Sequence, residues 1–262
     1  MLHAGLLRTG GRWTALDVVA EAGSTNVDLV AAARLGRVGS GSVLVTDYQS
    51  AGRGRQGRTW TAPPGTNVAM SVLVAPSVAA ARWTWLPLLT GLAVAGGLRR
   101  VAGVRAGLKW PNDVLVGERK ICGVLAERVE TPNGPGCVIG MGINVHLGTA
   151  ELPVPTATSL AILAERDGLD GAVPTRSAVI VAVLSELEEL LASWEASADD
   201  RVLAEAYVEH SVTLGREVWV LLGDGSTVEG WAESIDSEGR LQVRTLTGLS
   251  VFGAGDVVHL RM

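Results

Sequence analysis

The texture of this chain changes at Ser211, and that change limits the folds open to it. Before it, short apolar runs of strand length alternate with segments whose apolar residues recur at helical spacing. After it, residues 212–262 hold only brief β-like runs: REVWVLL, TVEGWAESI, RLQVRTL and VVHL, with the turn signals GDG and DSEG among them. Roughly 50 residues of this kind predict a small β-barrel with its own core. A domain boundary is expected near 211, giving domains 1–210 and 211–262. One to two domains is also what 262 residues imply.

Within the first domain, Trp13–Ala22 reads as a strand. Ser24 or Thr25 then suits the N-cap of a helix running through VDLVAAARLG, with Asp28 in its first turn and Gly36 just past its end. Ser42–Thr46 and Asn67–Ala75 read as buried strands. Ser77–Val101 reads as helix interrupted near Pro87. Asp113–Val116 and Ile121–Leu125 form a hairpin across Gly-Glu-Arg-Lys, and Cys137–Val145 is another strand. Residues 148–156 read as loop. Helices are expected over 157–166, 175–195 and 199–210.

Composition removes several function classes. The net charge is −5, so the broad basic stripe of a general nucleic-acid binder is missing. The two cysteines, Cys122 and Cys137, form no CxxC pair, and the four histidines are scattered with no HExxH. Free, buried thiols fit a reducing compartment. The N-terminal MLHAGLLRTGGRW makes a poor signal peptide. The longest apolar stretch, Leu86–Leu98, contains Pro87 and three glycines, whereas a spanning helix needs about 20 apolar residues. A cytoplasmic protein without membrane association is expected.

Against this acidic background stands AGRGRQGRTW, residues 51–60. Gly52, Gly54 and Gly57 formally match GxGxxG. That fingerprint needs a helix directly after it, so that phosphate meets the helix N-terminus. Here Pro63, Pro64 and Gly65 follow, and no acidic residue lies about 20 positions on. A kinase glycine loop would need HRD and DFG, which are absent. A mobile surface loop or an RGG-type RNA tether stays open, although this segment occurs once and between two apolar strands. Arginine forms forked bonds to carboxylate or phosphate, and glycine lets backbone N–H groups approach a ligand. The segment reads as an anion-holding loop.

Three further segments carry polar groups at strand ends. GLKWPNDV (107–114) brings Lys109, Asn112 and Asp113, which otherwise make a strand ending in an Asn-Asp turn. Lys120 sits at the start of ICGVLAE, where a solvated charge is the plain alternative. GMGIN (140–144) allows close backbone approach, or simply a bulged strand. Together they suit a substrate with a carboxylate and phosphates. No Ser–His–Asp or Cys–His arrangement points to a covalent nucleophile. Joining a carboxylate to a phosphate needs mainly positioning and charge stabilisation.

The set GSTN (23–26), YQSAGRGRQGRTW (48–60), KWPNDV (109–114), RKICGVLAE (119–127) and GMGINV (140–145) closely resembles biotin protein ligase in order and spacing. The resemblance implies an α/β (α+β) catalytic domain, a mixed sheet flanked by helices, and an SH3-like C-terminal barrel. It implies activation of biotin by ATP and Mg²⁺ to biotinyl-5′-AMP. Biotin then passes to a lysine of an acceptor, the biotin carboxyl carrier domain of an acyl-CoA carboxylase such as acetyl-CoA carboxylase. Carried over by position, Ser24, Thr25, Asn26 and Gln49 line the biotin pocket. Arg53, Gly54 and Arg55 close over biotin and its adenylate. Arg55 and Lys120 are the catalytic pair facing the carboxylate and α-phosphate. Arg58 meets the ATP phosphates, Trp60 supports adenine, and Asn112 with Asp113 serves nucleotide and Mg²⁺. Gly123, Leu125, Gly142 and Asn144 line the same site, and 147–157 forms a second loop over the nucleotide.

Repressor members of the family carry an N-terminal winged helix. Here GSTN begins at residue 23, so a monofunctional enzyme without DNA binding is expected, as a monomer or weak homodimer. Two rival readings remain at this level: a lipoate or octanoate ligase, and a non-catalytic biotin sensor or DNA-bound repressor.

Overall fold

The computed structural model describes residues 11–168 and 172–260. Most of the stretch read as a poor signal peptide lies outside them. Seven strands form the first sheet: β1 (Ala15–Ala22), β2 (Ser42–Gln49), β3 (Asn67–Val74), β4 (Gly107–Lys109), β5 (Asp113–Val116), β6 (Arg119–Thr131) and β7 (Gly134–Asn144). Their order is β1-β2-β3-β7-β6-β5-β4. Only β1 and β2 run parallel, and every other neighbouring pair is antiparallel. The sheet is therefore mixed, as expected, and unlike the parallel sheet of a dinucleotide fold.

Five helices cover this sheet: α1 (Thr25–Arg34), α2 (Leu86–Ala102), α3 (Leu160–Asp167), α4 (Arg176–Ala196) and α5 (Arg201–His210). Helix α1 packs Leu29 and Ala33 against Leu73, Val129 and Val138 on one face. Helices α2 and α4 join the larger core on the other face. Strand β3 lies between these layers, and all of its residues are buried, which explains its unbroken apolar run NVAMSVLV. Gly97 lets α2 and α4 meet closely, since a Cβ there would lie 2.7 Å from Val183 Cγ2.

Two sequence readings need correction. The segment read as one helix broken near Pro87 is a 3-10 turn over Ala80–Trp85 followed by α2, which starts at Leu86. Pro87 begins the helix because first-turn N–H groups have no intrahelical partner to lose. At α1, Ser24 occupies the N-cap with extended backbone, but its side chain makes no capping bond. The Thr25 N–H is taken by Gln49 Oε1 at 2.9 Å. A side chain at the end of β2 thus caps α1, and the Ser24 hydroxyl is left for the pocket.

The second sheet comprises β8 (Glu217–Leu221), β9 (Thr227–Ile235), β10 (Leu241–Thr245), β11 (Gly248–Phe252) and β12 (Asp256–His259). Its order is β11-β10-β9-β8-β12, antiparallel throughout. Four of these strands match the sequence reading, and β11 was hidden in it. Val218, Val220, Ala232, Leu241 and Val243 point inward and join the same core as Trp85 and Trp110. Trp85 Nε1 donates to Ser237 O at 2.9 Å, and Trp110 Nε1 to Gly239 O at 3.0 Å. Both indoles meet the polar requirement of burial across the seam between the sheets. That seam brings the start of β12 beside the Gly/Arg loop.

Candidate active site

The ends of β2, β5, β6 and β7, the start of α1 and the 52–60 loop surround one pocket. Its lining includes Ser24, Thr25, Asn26, Gln49, Arg53, Gly54, Arg55, Arg58, Trp60, Asn112, Asp113, Lys120, Gly123, Leu125 and Gly142. Residues scattered over more than a hundred positions of sequence therefore converge on one pocket. Asn144 does not join them. It is buried, and its amide donates to Thr158 O at 2.9 Å, outside the lining.

The deep end is lined by neutral side chains that hydrogen-bond to one another, with the Glu127 carboxylate behind Asn26. Ser71 Oγ lies 2.7 Å from both Thr25 Oγ1 and Asn26 Oδ1. Thr25 Oγ1 reaches Gln49 Oε1 at 3.1 Å. Asn26 Nδ2 donates to Leu125 O at 3.1 Å and to Glu127 Oε2 at 2.8 Å. A Cβ on Gly140 would collide with Asn26 Oδ1. Sequence reasoning singled out GMGIN for close approach without seeing that the approaching group belongs to the protein.

The Gly/Arg loop is a short hairpin. Arg53 bridges to Thr59, Gly54 N donates to Arg58 O at 2.7 Å, and Trp60 N donates to Gly52 O at 2.9 Å. Its tip is a 3-10 turn, Arg55–Gly57, with Gln56 at φ 53 and Gly57 at φ 73. Those left-handed conformations suit Gly57 and strain Gln56 mildly. The hairpin turns Arg55 inward, where Nη1 donates to Asn112 Oδ1 at 3.1 Å and to Gly255 O at 3.2 Å. Burial pulls the pKa of Arg55 down, and Asp256 and then Asp113 oppose that shift.

Trp60 packs against the glycine pair Gly123 and Gly142, which face each other across β6 and β7. A Cβ on Gly142 would run into its ring. The Trp60 Nε1–H is buried with no hydrogen-bond partner, so a donor is available inside the pocket. Lys120 Nζ stands 5.7 Å from the Trp60 ring centroid and pairs with Asp113 Oδ1 at 2.6 Å. The end of the 147–157 loop and the residue after it grip the Lys120 backbone, with Lys120 N bonded to Thr156 O at 2.8 Å and Thr158 N to Lys120 O at 2.9 Å.

Four cations line the mouth, Arg53, Arg55, Arg58 and Lys120, against the carboxylates Asp113 and Asp256. This local excess of positive charge, on a chain of net charge −5, favours an anionic ligand. Asp113 and Asp256 are too few for a protein-made metal cage. Asp113 fits a magnesium ion held mainly by nucleotide phosphates and water, whereas Asp256 is engaged with Arg58 and Arg55. Lys109 stands behind the mouth, opposite Asp113 in the β4–β5 pair, and burial pulls its pKa down. Sequence reasoning missed Asp256, because nothing near GAGDVV says which loop that strand will meet. Cys122 and Cys137 are free and buried. Burial pushes Cys122 up and Cys137 up to about 12, so neither is an available nucleophile.

Residues 23–144 match the model of the biotin/lipoate A/B protein ligase family, and residues 213–260 match that of the biotin protein ligase C-terminal domain. The biotin–[acetyl-CoA-carboxylase] ligase of Mycobacterium tuberculosis is 40% identical over 260 residues, covering 98% of this chain and 93% of that protein. The biotin protein ligase of Aquifex aeolicus, solved with biotin and ATP, superposes with a TM-score of 0.76 at 28% identity, over 95% of this chain and 100% of that one. The Leishmania major enzyme in complex with biotinyl-5-AMP gives 0.62 at 25% identity, over 94% and 98%. With the two matches in register with the two sheets and the motif residues gathered in one pocket, this chain belongs to the biotin protein ligase family.

Proposed function

We propose that this chain is an ATP-dependent ligase that converts biotin to biotinyl-5′-AMP and then transfers biotin to a lysine of a biotin carboxyl carrier domain of an acyl-CoA carboxylase. One observation carries the reading: the neutral cradle of Ser24, Thr25 and Gln49 and the cations Arg55 and Lys120 open into one pocket. A ureido ring needs paired donors and acceptors, which the cradle supplies. A carboxylate attacking an α-phosphate needs positive charge where negative charge builds up.

In this reading Arg55 and Lys120 stabilise the forming anhydride. Arg53 and Gly54 close over the acyl chain and adenylate. Arg58 takes nucleotide phosphate, Asn112 and Asp113 face the nucleotide, and Asp113 is the carboxylate for its Mg²⁺. Gly123, Leu125 and Gly142 form the floor, with Trp60 packed on it. The antiparallel strands β8–β12 support an SH3-like barrel, and the end of α5 at His210 supports the division into 1–210 and 211–262. No helix among the described residues is long and apolar enough to cross a membrane.

The test is incubation with biotin, MgATP and a purified carrier domain. One lysine of the carrier gains biotin, pyrophosphate and AMP are released, and lipoate in place of biotin gives neither. Absence of biotin-dependent pyrophosphate release overturns the reading. Equal turnover of lipoate moves the chain to the neighbouring ligase class.

A further inference from the structure

Among the residues lining the pocket, only Asp256 comes from the second sheet. Its carboxylate forms an ion pair with Arg58 and lies 3.9 Å from Arg55 Nη1. The carbonyl just before it, Gly255 O, accepts from that same Nη1 at 3.2 Å. The remaining acceptor of Arg55 is Asn112 Oδ1. None of these groups belongs to the Gly/Arg loop, so the direction of Arg55 is set by its surroundings.

Asp256 is well fixed for such a task. It opens β12 opposite Leu221 of β8, and its side chain is 17% exposed. Gly255 has φ 144, and a Cβ there would lie 2.9 Å from Val220 Cγ1. Glycine is what brings that carbonyl and carboxylate to the pocket rim. The two arginines differ. The Arg55 side chain is 21% exposed and has two hydrogen-bond acceptors with the Asp256 carboxylate 3.9 Å away, whereas Arg58 is 62% exposed and its one ion pair is with Asp256. An exposed pair of this kind contributes little and exchanges readily. A phosphate bearing more charge than a carboxylate displaces it.

We propose that Asp256 is a positioning residue for adenylation: it holds Arg55 across the pocket mouth and keeps Arg58 in a pair that nucleotide phosphate takes over. This rests on the ligase reading above. It also gives the second sheet a direct part in the first chemical step.

Biotin-dependent exchange of labelled pyrophosphate into ATP tests it. In Asp256→Asn, kcat falls roughly 10–100-fold, the range for partners that orient a functional side chain. KM for ATP stays level or falls, because a repelling carboxylate is gone and Arg58 is free. Asp256→Glu recovers kcat to within about threefold, since it restores the charge. A merely structural role would lower thermal stability without that split and without rescue by Glu. Wild-type kcat in Asp256→Asn overturns the inference, as does a raised KM with unchanged kcat. Should the Asn variant not fold, Asp256→Ser is read in the same way. Failure of the wild-type protein itself to exchange pyrophosphate is a different result: it overturns the ligase reading, and this inference falls with it.

Discussion

The two ends of the pocket are built on opposite principles. At the deep end, Thr25, Asn26, Gln49 and Ser71 are neutral and bonded to one another, to backbone and, through Asn26, to the single carboxylate of Glu127. At the mouth, Arg55, Arg58, Lys120, Asp113 and Asp256 are charged and paired across different elements. A closed neutral network holds its shape and selects by hydrogen-bond pattern. Ion pairs at a half-open rim can be exchanged for pairs with a ligand. In the proposed function this difference separates recognition from chemistry, and substitutions at each end should separate them too.

The largest effect is expected at the mouth. On the proposed reading Lys120→Ala removes a cation beside the forming anhydride and should raise the adenylation barrier by about 2–4 kcal/mol, as loss of an oxyanion donor does. Its fold should persist, because the lost contacts are the rim pair with Asp113 and the contact with Trp60. Single-turnover formation of biotinyl-AMP measures the step. A near wild-type rate would remove Lys120 from the chemistry and break the contrast between the two ends.

The deep end should answer the other way. Asn26→Ala strips partners from Leu125 O, Glu127 and Ser71 at once. Buried polar groups left without partners cost about 1–3 kcal/mol, so urea denaturation should show that loss. Biotin KM should rise, while turnover at saturating biotin stays within a few-fold. A variant as stable as the wild type would mean that the network is decoration.

The sequence made the strands and helices legible where period and punctuation agreed. Alternating segments, the hairpin at Gly117-Glu118 and the texture change at Ser211 all depend on local chemistry, which a sequence displays. β11 escaped because Leu249 and Val251 are exposed apolar residues, so the run carries no inward-outward alternation. Asn144 shares β7 with Gly140 and Gly142, yet its amide donates to the Thr158 carbonyl, a long-range partner that the local motif does not display. Asp256 was invisible for a deeper reason. Its place at the pocket rim depends on how two sheets pack, through Trp85, Trp110 and their carbonyl partners, and no local pattern encodes that contact.

The seam between the sheets offers the smallest test, and it bears on how pH effects at the mouth are read. His259 sits there with Nε2 3.2 Å from Thr213 Oγ1, and Thr213 Oγ1 also accepts from Trp110 N at 3.0 Å. Burial, then the nearby Lys109 and Arg216, push its pKa down to about 4 from the usual 6.5. The folded protein therefore keeps this imidazole neutral where the unfolded chain protonates it. Above pH 6.5 neither state is charged there and nothing is lost. As pH falls from 6.5 towards 4 the unfolded state binds the extra proton, so stability drops with pH, and below 4 the loss levels off. Partial exposure discounts the effect to about 1–2 kcal/mol. Urea denaturation of the wild type at pH 7.5 and pH 5 should show this slope, and His259→Gln should flatten it. If His259→Gln keeps the slope, the acid-sensitive group lies elsewhere, and the charged mouth becomes the place to look.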